Sequence, residues 1–446
     1  MLNKIVIAGG GSTYTPGILI GLIKTIKTFP VKEIVLYDID LNRLQPMGGF
    51  AQVLFREYLP SVNLVATKDK ELAFKNSDFV FCQIRTGGMK QRELDEKIPL
   101  KHDSIGQETC GAGGFAYGLR SIKDMIELVK DIRRYSKNAW IINYSNPAAL
   151  VSIALDKAYP KDKRILNICD QPISLLQAYS RLLGNTNYKD LVPYYFGLNH
   201  FGWFTKIINS KTNEDVTQTI KDKIKNDGFY PADKETRDAS WLVTYNMVKD
   251  MLIYDDTYLP STYLQYYLLP LEVIKTLNKD YTRANEVMNG REKNVFMMCK
   301  SVIQKNSTKG VKFVEDEMNK TNGHGETIID IAKSIYHNQN RPYIVIVKNK
   351  NIIKNFSHDA MVEVLCTLGK NGPKAVESLD ISPYYKGLME NQYAYELLTV
   401  ESYFEGSYKK ALQALTLNRM VNDQHKAKVI LDDLIKANKA FFVEMK

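Results

Sequence analysis

The chain has 446 residues, 44% hydrophobic and 25% charged, which is the composition of a folded globular protein with room for two well-filled cores. No apolar run reaches the roughly 20 residues that a membrane helix needs, so no membrane partner is expected. The formal charge of +10 is spread along the chain without a recognition motif, which argues against nucleic acid and suits an anionic small molecule better.

The opening MLNKIVIAGGG reads as a strand entering a glycine turn. It lacks the basic start, apolar stretch and small-residue cleavage site of a secretory signal. Up to about residue 199, β-branched runs alternate with helical patterns. Strands are predicted at 4–8, 33–37, 63–66, 79–84, 140–143 and 164–168, and helices at 16–27, 121–135 and 148–157. That alternation predicts an α/β fold whose N-terminal part is a Rossmann-like doubly wound parallel sheet. Further on, helical patterns dominate at 238–249, 325–336, 391–399 and 407–437. Two alternating runs, 342–347 and 361–366, read as strands of a second domain. The expected division is residues 1–198 and residues 199–446, the latter a mostly helical α+β domain, with 195–205 bridging the two. The cysteines, Cys82, Cys110, Cys169, Cys299 and Cys366, are odd in number and widely spaced. Neither a disulfide framework nor a CxxC zinc pattern is present, and a reducing cytoplasm is the expected location.

The first predicted strand, KIVIA, runs into Gly9-Gly10-Gly11-Ser12, and a helix follows from Pro16. Glycines there let the backbone turn sharply and approach a pyrophosphate, whose charge the helix N-terminus favours. The full fingerprint asks for another glycine at position 14, where Tyr14 stands. In the second strand, EIVLYDID, Asp38 sits where an acidic residue accepts hydrogen bonds from the adenosine ribose hydroxyls. Its charge would repel a 2′-phosphate, so NAD is expected in preference to NADP, carried by residues 1–198.

Cys169 and Asp170 end the run RILNI, on the side of a parallel sheet that faces the ligand crevice. His200 stands in GLNHFGW, beside another glycine-marked turn. From spacing alone the pair has two readings. One is a metal site whose open positions take substrate oxygens; the other is a packed cysteine and a capping histidine. Three further stretches are dense in polar groups: NYSNP with Asn146, the glycine-rich GQETCGAGG ahead of a helix, and TRANEV with Arg283. Arg85 and Arg92 flank the end of the fourth strand. Most arginines are solvated charges, but a phosphate needs one or two of them.

Taken together and in order, GGGSTYTP, GQETCGAGG, NYSNP, CDQP, LNHFGW, TYLQYYLLP and TRANEVM resemble glycoside hydrolase family 4, from Lys4 to roughly Asn438. NAD-dependent members of that family are exceptions to the two-carboxylate glycosidase scheme. The resemblance implies hydrolysis of a 6-phosphorylated glucoside to glucose 6-phosphate by redox elimination and addition. Its implied cofactors are NAD and manganese(II) or another divalent metal. By motif, it implies Cys169 and His200 as metal ligands. Asp170 would protonate the leaving glycosidic oxygen, and Tyr263 would be the base at sugar carbon 2. Arg92, Asn146 and Arg283 would contact the substrate, with the arginines on its phosphate. A hydride would pass from carbon 3 to NAD and return after water adds, leaving no net redox change. The corner CDQP resembles the CDMP of the 6-phospho-α-glucosidase branch more than the CNxP of the β branch, and departs from it at Gln171. A phosphorylated disaccharide such as maltose 6′-phosphate is therefore the expected substrate, and a homodimer or homotetramer the implied assembly.

Three alternatives compete. A β-specific phosphoglucosidase of the same family is the main one. A dehydrogenase of the malate or lactate kind shares the glycine-turn start, but it would release stoichiometric NADH and pair a catalytic histidine with an aspartate. A non-catalytic NAD-dependent sugar sensor would leave the polar clusters at the strand ends unexplained.

Overall fold

The computed structural model describes residues 1–229, 239–319 and 325–446. Six strands follow the expected alternation: β1 Leu2–Ala8, β2 Val31–Tyr37, β3 Asn63–Thr67, β4 Phe79–Cys82, β5 Trp140–Asn143 and β6 Ile165–Asn167. They pair in parallel in the order β3-β2-β1-β4-β5-β6, so the strand order reverses between β1 and β4. A dinucleotide binds at such a reversal. Apolar runs such as FVFC in β4 suit a sheet covered on both faces. Ile5 and Ile7 pack with Leu19 and Leu22 of helix Thr15–Thr25. Val6 and Ala8 face the other way, onto Met125 and Val129 of helix Gly111–Tyr135.

Past β6 come the hairpin strands β7 Leu191–Leu198 and β8 Phe201–Asn209, joined by the short β9 Glu214–Asp215 and β10 Leu259–Pro260. The two runs expected as strands of a second domain are β11 Arg341–Lys348 and β12 Met361–Gly369, followed by β13 Gly372–Ala375. They continue the first sheet. β11 lies antiparallel to β6, with Ile346 opposite Asn167, and β12 and β13 extend it. Without them the short β6 would be an open edge beside the cleft described below. Among the described residues that sheet has nine strands. One apolar core crosses the 198/199 division, holding Leu36, Phe81 and Ile142 together with Phe201, Val345 and Val362.

Several helices differ from expectation in extent. The helix predicted from 121 starts at Gly111. Glycine is a poor helix former, but a Cβ on Gly113 would stand 2.2 Å from the carbonyl oxygen of Gln107. Close packing under the preceding loop outweighs propensity there. The 391–399 pattern lies inside the longer helix Pro383–Glu405. The 407–437 pattern is two helices, Tyr408–Leu417 and Gln424–Ala437. Asn422 turns left-handed between them, and Asp423 caps the second by accepting the Lys426 N–H. The helix expected from 238 runs over Ala239–Tyr254, and Asp238 itself lies outside the described residues. Among the described residues no helix is long and apolar enough to cross a membrane.

Candidate active site

The C-terminal ends of β1, β2, β4, β5 and β6 open onto one cleft of about 1100 Å³. At its nucleotide end, β1 finishes at Ala8 and the chain turns at Gly9 with φ +87°. The N–H groups of Gly9 and Gly10 both donate to Tyr37 O at 2.9 Å. A Cβ on Gly9 would stand 2.7 Å from Gln83 O, so no other residue fits this turn without displacing the backbone that leaves β4. The Gly11 N–H donates to Asp38 Oδ2 at 2.8 Å, which sets the carboxylate at the end of β2 against the glycine turn. Gly9, Ser12 and Asp38 line the cleft, while Gly10 and Gly11 complete the turn. Turn, following helix and carboxylate together fit a dinucleotide. Tyr14, in place of the last glycine of the fingerprint, meets Tyr144 edge-on at 6.3 Å and carries the Arg291 guanidinium over its ring at 4.6 Å. It thereby joins the nucleotide end to the rest of the cleft.

At the other end, the chain leaves β6 and presents Cys169 and Asp170 before helix Gln171–Leu182. His200 stands at the tip of the β7–β8 hairpin with φ +61°, a left-handed conformation uncommon outside glycine that asparagine, aspartate and histidine adopt more often than other residues. That turn brings His200 Nε2 to 3.4 Å from Cys169 Sγ, and its Nδ1 to 3.1 Å from Thr109 Oγ1. The Tyr263 ring, from the turn Thr262–Leu264, stacks on the imidazole at 3.9 Å and 8°. Burial pushes His200 down to about 4, so the ring is neutral at neutral pH. Burial, reinforced by Glu363 and Asp170, holds the Cys169 thiol well above its usual range. Burial also raises the Tyr263 phenol, with Cys110 adding to it. Both groups therefore stay protonated in these surroundings unless positive charge enters the corner.

A neutral imidazole nitrogen and a sulfur converging at a cleft wall are a fitting donor pair for a divalent metal. Among the described residues no cluster of three or more His, Cys, Asp or Glu could hold an ion, so such a site would keep positions open for substrate. The Tyr144 hydroxyl lies against the Asp170 carboxylate, and burial together with that charge holds its phenol well above the ordinary value.

Between the two ends runs a wall of paired charges. Arg92 Nε lies 2.8 Å from Glu96 Oε1 and its Nη1 3.1 Å from Glu108 Oε1, while Arg85 Nη1 lies 2.7 Å from Glu108 Oε2. Burial alone would raise the Glu108 carboxyl, but Arg85 and Arg92 outweigh it and bring it down to about 2. Arg283 pairs with Glu286 at 2.8 Å. Arg92, Asn146 and Arg283 all line the cleft, and a guanidinium has more N–H donors than the two carboxylates at Arg92 take up.

The structure thus gathers Cys169, Asp170, His200 and Tyr263 in one corner. It sets the three expected substrate contacts along the same cleft. Sequence reasoning does not single out Glu108, Thr109 or Glu363. The available signal for Glu363 is a lone acidic residue inside the apolar run MVEVLC of β12. Burial pushes its carboxyl up to about 7, and Asn199 Nδ2 donates to it at 3.0 Å, next to His200 in the chain.

Residues 4–184 match the model of family 4 glycosyl hydrolases, and residues 195–421 that of the family 4 glycosyl hydrolase C-terminal domain. A phospho-α-glucosidase of Clostridium acetobutylicum is 47% identical, with 99% of each chain covered. A maltose-6′-phosphate glucosidase of the same organism is 44% identical, again over 99% of each. A 6-phospho-α-glucosidase from gut microorganisms, solved in complex with NAD and Mn2+, has a TM-score of 0.95 and 48% identity over 100% of both chains. Both halves match the models of one family and the relatives span the whole length, and on these grounds the chain belongs to family 4 of the glycosyl hydrolases.

Proposed function

We propose that this chain hydrolyses 6-phospho-α-glucosides such as maltose 6′-phosphate to glucose 6-phosphate, with NAD and manganese(II) or another divalent ion as resident groups. The observation that carries the reading is the convergence of Cys169, Asp170, His200 and Tyr263 in the cleft that begins at the Gly9 turn. The names of relatives more than 40% identical over nearly their full length support an α-linked phosphosugar.

Residues 1–198 serve as the NAD-binding unit, which also contributes Arg92, Asn146, Cys169 and Asp170 to the site, and 199–446 as the substrate and catalytic unit with His200, Tyr263 and Arg283. Gly9, Gly10, Gly11 and Ser12 cradle the pyrophosphate, and Asp38 takes the adenosine ribose. Cys169 and His200 hold the metal. When bound, these groups supply a hydride acceptor for sugar carbon 3 and a Lewis-acid charge beside it. Tyr263 takes the carbon 2 proton, and Asp170 gives a proton to the leaving glycosidic oxygen. Arg92 and Arg283 bind the 6-phosphate, and Asn146 a sugar hydroxyl. All five cysteines are free, which suits a reducing cytoplasm, and we place the enzyme there as a homodimer or homotetramer.

Turnover of maltose 6′-phosphate, cellobiose 6′-phosphate and maltose, with and without NAD and manganese, tests the reading. Cleavage of the first alone, dependent on both cofactors and without NADH accumulating, is expected. Preference for the cellobiose derivative moves the chain to the β branch. Stoichiometric NADH makes it a dehydrogenase, and equal cleavage of unphosphorylated maltose removes the phosphosugar. Full turnover after chelation and removal of NAD overturns the redox route.

A further inference from the structure

Within the stretch GQETCGAGG, Gln107 and Thr109 have no role in that reading, yet their side chains form a hydrogen-bonded relay that ends on His200. Gln107 Oε1 receives the backbone N–H of Thr109 at 2.6 Å and of Cys110 at 2.7 Å, and the Thr109 hydroxyl at 3.1 Å. Backbone N–H groups can only donate. The atom they meet must therefore be the amide oxygen, and the Gln107 side chain has one possible orientation.

The Thr109 hydroxyl has a single proton. Given to Gln107 Oε1, it leaves an oxygen lone pair facing His200 Nδ1 at 3.1 Å. Given to Nδ1, it would set the lone pairs of two oxygens against each other at 3.1 Å. The Cys110 sulfur, 3.8 Å away, is a weak competitor. The ring proton of a neutral His200 accordingly sits on Nδ1. Its Nε2 then presents a lone pair toward Cys169 Sγ at 3.4 Å.

We infer that Thr109, oriented by Gln107, is a positioning residue that holds His200 in the Nδ1–H tautomer and so points Nε2 at a divalent metal shared with Cys169. A metal-binding histidine needs its other ring nitrogen engaged in this way, and outer partners of this kind commonly carry a large share of the affinity. The metal half of the inference rests on the function proposed above; the tautomer does not.

Both halves are read on the full chain. Nitrogen-15 spectra of histidine-labelled, metal-free protein at neutral pH report the tautomer, with the His200 signals assigned by their loss in His200→Asn. Wild type and Thr109→Ser are expected to show a protonated Nδ1 and an unprotonated Nε2. Thr109→Val, similar in size but without the hydroxyl, is expected to shift population toward Nε2–H. Calorimetric titration with manganese should show about 10- to 100-fold weaker binding in Thr109→Val and near-normal binding in Thr109→Ser. A wild-type His200 protonated on Nε2 overturns the relay, and so does a Thr109→Val protein with unchanged tautomer and affinity. If Thr109→Val fails to fold, the wild-type spectrum alone decides the tautomer. If wild type binds no manganese, the metal reading falls while the spectrum still decides the relay.

Discussion

At the nucleotide end of the cleft, the turn and the carboxylate proposed to hold the cofactor both come from residues 4–38. A strand, a glycine turn and an aspartate are tied by backbone donors, with Gly9 and Gly10 on Tyr37 and Gly11 on Asp38. The corner proposed for the metal is assembled from four separate stretches, 107–109, 169–171, 199–200 and 261–263, that meet mainly through side chains, the backbone tie nearest them being the Ser261 N–H on Gly202 O at 3.0 Å. A backbone turn is held by the sheet it belongs to. A side-chain corner holds only while each stretch keeps its place. The nucleotide end should therefore fail on changes that disturb the backbone, and the corner on changes that remove a single functional group.

The largest expected effect is at the corner. Cys169→Ser and His200→Ala should each abolish manganese binding and lower turnover by on the order of a thousandfold or more, the scale of losing the charge that drives a chemical step. NAD binding, followed by fluorescence titration, should persist in both. Unchanged manganese affinity in a folded variant would return Cys169 to the role of a packed cysteine. Loss of NAD binding along with the metal would break the comparison, because the two ends would then be one unit.

Next comes Asp170→Asn, about 10²- to 10⁴-fold slower on maltose 6′-phosphate, the usual range for a general acid. A nitrophenol leaves without needing a proton, so the variant should recover most of its rate on the nitrophenyl 6-phosphoglucoside. Tyr263→Phe should be poor on both substrates, because the base proposed for the carbon 2 proton acts before the glycosidic bond breaks. Equal impairment of Asp170→Asn on both would remove the acid assignment.

At the nucleotide end, Gly9→Ala places a Cβ at φ +87° and 2.7 Å from Gln83 O. The left-handed backbone alone costs about 1–2 kcal/mol. NAD affinity should drop about tenfold or more and the melting temperature should fall, while manganese affinity stays close to normal. A variant that binds NAD as tightly as wild type would show that the turn is less constrained than its contacts require.

The same contrast explains what the sequence discloses. β5 spans the four residues its pattern predicts, and β1, β2 and β3 are found within about two residues, since period and glycine placement are local signals. β11 and β12 are legible as strands, but their sheet is not, because the choice of β6 as partner is made across the fold. At the corner, spacing leaves Cys169 and His200 open to two readings, and only the joint resemblance of many short motifs favours one. Tyr263 has no local signal at all. It sits in a three-residue turn and reaches the site by stacking on a ring more than sixty positions away in the chain. Glu363 does break an apolar run, yet a single buried acid does not say which loop it supports.

The smallest expected effect belongs to Gln171, where CDQP departs from CDMP. Its Nε2 donates to Thr262 Oγ1 at 2.9 Å and to Ser261 Oγ at 3.2 Å, while its Oε1 is buried without a hydrogen-bond partner. The amide thus ties the corner that carries Asp170 to the turn that carries Tyr263, at the cost of a stranded carbonyl. Gln171→Met keeps the length of the side chain and removes both features. Each lost hydrogen bond costs about 0.5–1.5 kcal/mol, and relief of the unpaired oxygen returns about 1–3 kcal/mol. Stability should therefore stay nearly level. The tie itself is gone, and a displacement of about 1 Å at reacting groups can cost a hundredfold. A turn still packed on all other sides moves by less, so kcat should fall about tenfold or less, equally for sugar and nitrophenol leaving groups, because the placement of Tyr263 matters to both. A fall confined to the sugar substrate would mean that Gln171 serves Asp170 alone. No fall on either would mean that ring stacking on His200 holds Tyr263 without help from the amide.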